Sequence, residues 1–116
     1  MASGKLSEKV NDVLENNGWK LCSVEKQDGE YWAEIENWSP AGEDLVETIW
    51  FDGTSKGFCR AVAEYAADFD PDEHAELYVN MRGERGVPNS IRALINDADA
   101  IADMLDTLAD ELGKLY

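Results

Sequence analysis

Apolar positions follow a helical period at both ends of this chain and a period of two in its middle. Near the N-terminus, "LSEKVNDVLENN" (6–17) places Leu6, Val10, Val13 and Leu14 at helical spacing, with Ser7 as cap and Gly18 as stop. "WKLCSVEKQ" and "EYWAEIENW" then read as strands. Between them Asp28-Gly29 suits the positive φ angles of a two-residue hairpin turn. A third strand, "LVETIWF" (45–51), follows the loop "SPAGED", which Pro40 and Gly42 punctuate. The helical period returns at 55–69, where Phe58, Val62, Tyr65, Ala66 and Phe69 share a face and Thr54 or Ser55 caps. In "DPDE" (70–73) Asp70 caps a further helix, Pro71 takes its first position and Glu73 completes a capping box. The alternation of Leu77, Val79 and Met81 in "AELYVNM" predicts that a short helical turn gives way to a fourth strand. "RGERGVPNS" (82–90) reads as a mobile loop, and a long final helix runs from Asn89 or Ser90 to about Lys114.

The expected fold is therefore a single α+β domain over residues 1–116. A three- or four-stranded antiparallel sheet carries helices on one face, in the order α-β-β-β-α-(β)-α. The first five elements share their order with double-stranded RNA-binding domains. Those domains need basic residues at the start of their last helix, which this acidic chain does not offer.

The final helix holds an unusual choice of residue. In "DADAIADMLDTLAD" (97–110) every acid is aspartate, although glutamate is the better helix former by a few tenths of a kcal/mol. On a wheel of about 100° per residue, Leu94, Ile95, Ala98, Ile101, Ala102, Leu105, Leu108, Ala109 and Leu112 fall within about 140° of arc, a continuous core face. Asp99, Asp103, Asp106 and Asp110 occupy about 60° beside that face, and Asp97 and Glu111 lie on its other flank. The uncharged back carries Asn96, Ala100, Met104 and Thr107. Like charges at i,i+4 destabilise a helix slightly, and no cation at helical spacing relieves this stripe. The carboxylates recur about every 5–6 Å along the axis. That spacing has the same order as the charges along one nucleic-acid strand. Short aspartate side chains hold those charges close to the backbone, so the stripe can stand in for phosphates. Two alternatives stay open: an ordinary solvated face, and adaptation to high salt, against which the chain's several lysines argue.

Charge extends the picture. Twenty-five Asp+Glu against ten Lys+Arg give a formal net charge of −15 over 116 residues, of which 44% are hydrophobic. The apolar fraction is enough for a core. The charge disfavours direct binding to nucleic acid and favours a basic protein partner. Cys22 and Cys59 are far apart and form no CxxC pair. They read as reduced, buried or half-buried thiols of a cytoplasmic protein. "MASGKLSEK" lacks the apolar core of a signal peptide, and no run approaches a membrane span.

Chemical motifs are sparse. Asp68, Asp70 and Asp72 imitate the opening of an EF-hand loop, but Glu73 stands where that loop needs glycine and Val79 where it needs glutamate. Helix capping explains the cluster without a metal. His74 is the single histidine, so a multi-histidine zinc site is excluded. The glycines form no phosphate loop, and nothing local marks a Cys–His catalytic pair. No cofactor is expected. On the second strand, Tyr31, Ala33 and Ile35 alternate with Trp32, Glu34, Glu36 and Trp38. If the first set faces the helices, Trp32 and Trp38 share an open face with Glu34 and Glu36, a combination suited to arginine-rich surfaces. The alternative folds these tryptophans against the 39–44 loop.

The stretches "ENWSPAGEDLVETIWFDGTSKGFCRAVAEYAADFDPDEHAE" (36–76) and "GVPNSIRALINDADAIADMLDTLADEL" resemble small acidic, mostly uncharacterised proteins of Firmicutes and of their phages or mobile elements. That resemblance implies a setting in which small acidic proteins inhibit host defence, as anti-CRISPR and anti-restriction proteins do, some by mimicking nucleic acid. The expectation is a non-enzymatic inhibitor that occupies the basic surface of a nucleic-acid-binding nuclease. Asp99, Asp103, Asp106 and Asp110 would carry it, helped by Asp97, Glu111, Glu34, Glu36, Trp32 and Trp38. The alternative is an acidic structural or regulatory module that dimerises through the back of the last helix around Ala100 and Met104, with a small enzyme or metal-binding protein third; the chain is expected to be a monomer or homodimer.

Overall fold

A computed structural model describes residues 6–116; residues 1–5, where the signal-peptide reading begins, lie outside the described residues. Helix α1 (Glu8–Asn16) starts at Ser7, whose hydroxyl accepts from Val10 N. It ends before Gly18, whose φ of +81° suits glycine alone. Strands β1 (Lys20–Gln27) and β2 (Glu30–Trp38) join through Asp28 and Gly29, with φ angles of +53° and +82°. These are the angles the hairpin reading requires. Strand β3 (Asp44–Phe51) completes an antiparallel sheet in the order β1-β2-β3. Helix α2 (Ser55–Asp68) is capped by Thr54, α3 (Pro71–Tyr78) by Asp70, and α4 (Ile91–Gly113) by Ser90.

A register shift between Leu21 and Ser23 leaves Cys22 as an extra, exposed residue on β1. The bulge lets Leu21 pack against the core while Val24, three positions on, is also buried. Both lie on the face shared by Ala33, Ile35, Leu45 and Ile49. The helices cover that face through Val10, Leu14, Phe58, Val62, Ile101, Leu105 and Leu108. Leu94 is also buried, in a smaller cluster with Ala75, Val87 and Ala98. Cys59 is buried as expected, whereas Cys22 is not.

Three expectations change. First, there is no fourth strand among the described residues: α3 continues into a 3₁₀ turn at Val79–Met81. The strong start at Asp70-Pro71 propagates the helix cooperatively, and helical spacing places Ala75, Tyr78 and Val79 against α4. Leu77, which the alternation had placed inside, is exposed. Second, the 82–90 loop is anchored. Val87 is buried, and Arg85 O accepts from Asp44 N at 3.3 Å.

Third, α4 is turned by roughly 40° from the expected phase. Its buried residues are Leu94, Asp97, Ala98, Ile101, Leu105, Leu108 and Leu112, while Ile91 and Ile95 are 51% and 42% exposed. The 39–44 loop lies on the Asp97 side and closes it, and among the described residues nothing comparable covers Ile91 and Ile95.

Candidate functional site

The sheet has helices on one side only. Strand alternation places Trp32, Glu34, Glu36 and Trp38 of β2 on the uncovered side, opposite in register to Trp50, Thr48, Val46 and Asp44 of β3. Trp32 and Trp50 form a tilted aromatic pair with ring centroids 5.2 Å apart. Trp38 and Trp50 remain 53% and 55% exposed, so Trp38 is not folded away against the loop, while Trp32 is half-buried beside Trp50. Around them stand Glu25, paired with Trp32 in register, and Lys20, paired with Glu36. Glu36 is held above the usual carboxyl range, first by a hydrogen bond with Asp44 and then by desolvation. The strands therefore bring Glu34, Glu36, Trp32 and Trp38 together as the alternation implied. Trp50, Val46 and Asp44 complete the face. Their alternation was legible in "DLVETIWF", but their alignment with β2 depends on register.

The aspartate stripe is exposed as expected at Asp99, Asp103, Asp106 and Asp110, and none makes an ion pair among the described residues. The rotation of α4 places these carboxylates about 160° from the centre of the buried face, away from the core rather than beside it. Contrary to the expectation, cations do stand at helical spacing from the stripe: Arg92 seven residues before Asp99, and Lys114 four residues after Asp110. Glu111 is half-buried and bonded to Lys114 at 2.5 Å. The back of the helix is not a free apolar surface: Met104 packs against the main core and Ala100 is half-buried. The stripe belongs to the helical layer and the tryptophans to the opposite side of the sheet.

Asp97 must be removed from the interaction surface. It is 4% exposed, accepts from the Ser39 hydroxyl, and accepts from Ala41 N at 3.0 Å. Ser39 Oγ in turn accepts from Glu43 N at 2.9 Å. This network pins the β2–β3 loop to α4. Glu43 is 1% exposed, with Oε1 3.1 Å from His74 Nε2 and no partner for Oε2. Burial, then a hydrogen bond with Asp97 and its charge, pushes the Glu43 carboxyl up to about 8. Protonation makes this burial tolerable, because a neutral carboxyl loses far less on leaving water than a carboxylate does. Burial lowers His74, so the Glu43–His74 contact is a neutral hydrogen bond rather than an ion pair near neutral pH. His74 contacts Glu43, Phe69 and Tyr78, and neither cysteine.

Sequence reasoning missed a second inward carboxyl. Glu47 accepts a hydrogen bond from the Tyr65 hydroxyl, and burial pushes it up to about 7. Its signal was present: Glu47 lies in phase with Leu45, Ile49 and Phe51 on the inward side of β3. Asp70 accepts from Asp72 N and Glu73 N as the cap of α3. Among the described residues no three His, Cys, Asp or Glu are grouped to hold a metal, and no helix is long and apolar enough to cross a membrane. Comparison with protein-family models, curated proteins and solved structures finds no match to this chain.

Proposed function

We propose that this chain is a non-enzymatic acidic interaction protein that docks on the basic surface of a nucleic-acid-binding protein in the cytoplasm. The observation that carries this reading is the uncovered sheet face, where Trp32, Trp38 and Trp50 stand among Glu34, Glu36 and Asp44. Tryptophan supplies a large desolvated contact, while guanidinium groups satisfy the carboxylates and stack on the indoles. A formal charge of −15 steers a basic partner toward the molecule.

The concrete form is an inhibitor of a defence nuclease, of the anti-CRISPR or anti-restriction kind. The resemblance read from sequence pattern alone, to small acidic proteins of phages and mobile elements, is what suggests this setting. In this reading Asp99, Asp103, Asp106 and Asp110 occupy positions that phosphates fill in the partner's channel. They project from the helical layer, so a partner that engages both surfaces must enclose the protein.

The test expresses the protein in cells carrying one CRISPR or restriction system at a time, challenges them with phage, and measures binding to each purified nuclease. The expected result is restored phage growth with one system and a complex that the nuclease's nucleic acid displaces. Trp38→Ala with Trp50→Ala should weaken binding through lost contact. Asn at the four stripe positions should weaken it and flatten its salt dependence. Failure to bind or inhibit any nuclease in the panel overturns the proposal. A complex that nucleic acid cannot displace overturns the mimicry.

A further inference from the structure

On the helical side, away from the tryptophan face, residues of α2, α3 and β3 line a wide-mouthed pocket of about 370 Å³. Its walls include Tyr65, Phe69, His74 and Tyr78. The His74 and Tyr78 rings are stacked at 4.2 Å with 18° between their planes, and Phe69 tilts against His74 at 5.7 Å. The acids Glu47, Asp68, Asp70 and Glu73 also line it, and among the described residues no lysine or arginine does. We infer that this pocket binds an organic cation, an alkylammonium or guanidinium group, between the aromatic walls and the Glu47 and Glu73 carboxylates.

Three observations combine in that assignment. The site is concave and of ligand size. Aromatic faces attract cations whose hydration shell is weak, and they discriminate against small, strongly hydrated metal ions. Glu47 is an acid on the inward side of a strand, where an apolar residue would pack better; its donor is the Tyr65 hydroxyl, and it has no cation partner among the described residues. A bound cation supplies the missing charge. It would also draw Glu47 toward its ionised form, against the burial that raises it to about 7. The other titratable groups facing the site are Asp68, Asp70, Glu73, His74, Tyr65 and Tyr78. Binding near neutral pH should therefore release protons, mainly from Glu47. The cation can come from a free polyamine or from a lysine or arginine side chain of another protein, and the chemistry is shared.

The inference does not depend on the sheet face. Calorimetric titration and NMR chemical-shift mapping of the intact protein separate the sources with spermidine and agmatine in one arm, and capped Gly-Lys-Gly and Gly-Arg-Gly peptides in the other. The expected result is saturable one-to-one binding tighter than about 1 mM, with shifts at His74 and Tyr78. Proton release, read as a dependence of the heat on buffer ionisation, should disappear in Glu47→Gln. Glu47→Gln and the more conservatively placed surface change Glu73→Gln should each weaken binding by roughly tenfold, while Asp103→Asn with Asp106→Asn leaves it unchanged. Binding by the free amines alone assigns a metabolite-type ligand; binding by the peptides assigns a protein side chain. Absence of binding by all four probes overturns the inference. So does equal weakening by the stripe variant, or equal competition by potassium or magnesium chloride at matched ionic strength, because either would mark a diffuse counterion atmosphere.

Discussion

Glu43 Oε1 lies 3.1 Å from His74 Nε2, and burial shifts the two groups in opposite directions so that both favour neutrality. The contact ties the β2–β3 loop to α3, while Asp97 ties the same loop to α4. A sequence-distant polar knot thus joins three elements next to the apolar core.

Stability should fall as pH rises from mildly acidic to alkaline. Glu43 and Glu47 have folded-state values near 8 and 7, above the ordinary 4.5. Their contribution is complete below about 4.5 and is lost as pH rises through 7 and 8, because the unfolded chain ionises first. His74 acts oppositely: its lowered value makes the folded state resist protonation, so its contribution is lost as pH falls below about 6.5. Urea unfolding should give a higher midpoint at about pH 5.5–6 than at about pH 8. Net negative charge acts in the same direction, so the decisive comparison is Glu43→Gln, which should flatten the slope. An unaltered slope in the double variant Glu43→Gln with Glu47→Gln would assign the effect to general repulsion.

Asp97 and Asp103 should behave differently although they belong to one run of aspartates. Asp97→Ala strands the Ser39 hydroxyl and Ala41 N–H, and it should cost about 1–3 kcal/mol. Asp103→Ala, at an exposed position, should stay within about 0.5 kcal/mol. Denaturant unfolding of both variants checks this, and equal effects would contradict the buried network.

The rotation of α4 makes a similar contrast among its apolar residues. Leu105 is 1% exposed and packs in the main core, so Leu105→Ala should cost roughly 2–5 kcal/mol. Ile95 is 42% exposed and outside both core clusters, and Ile95→Ala should cost less than about 1 kcal/mol. Similar losses at both positions would restore the phase that periodicity alone suggests.

Gly86 should tolerate no side chain. Its φ is +79°, and a Cβ there would stand 1.9 Å from Gly42 O. The β2–β3 loop and the 82–90 loop meet at this backbone contact. Gly86→Ala should therefore destabilise by about 1–3 kcal/mol, the range for a strained backbone position. Thermal unfolding reads the loss, and a neutral result would show that the two loops can separate freely.

Local signals determined where the elements begin and turn. Ser7, Thr54, Asp70 and Ser90 cap their helices because a short side-chain oxygen reaches backbone N–H groups two or three residues ahead. Asp28-Gly29 makes the hairpin because those two residues tolerate positive φ. Strand alternation likewise determined that Trp32 and Trp38 share a side with Glu34 and Glu36. Only tertiary structure decided which acids meet solvent. Asp97 is buried because Ser39, 58 residues away, closes over it. Glu43 and Glu47 are shifted because α2, α3 and α4 exclude water from them. The alternation at Leu77, Val79 and Met81 yielded to a helix because packing Ala75, Tyr78 and Val79 on α4 buries more than an unpaired edge strand could. Caps and turns act within a few residues, whereas burial is settled by whichever distant segment arrives to cover a face.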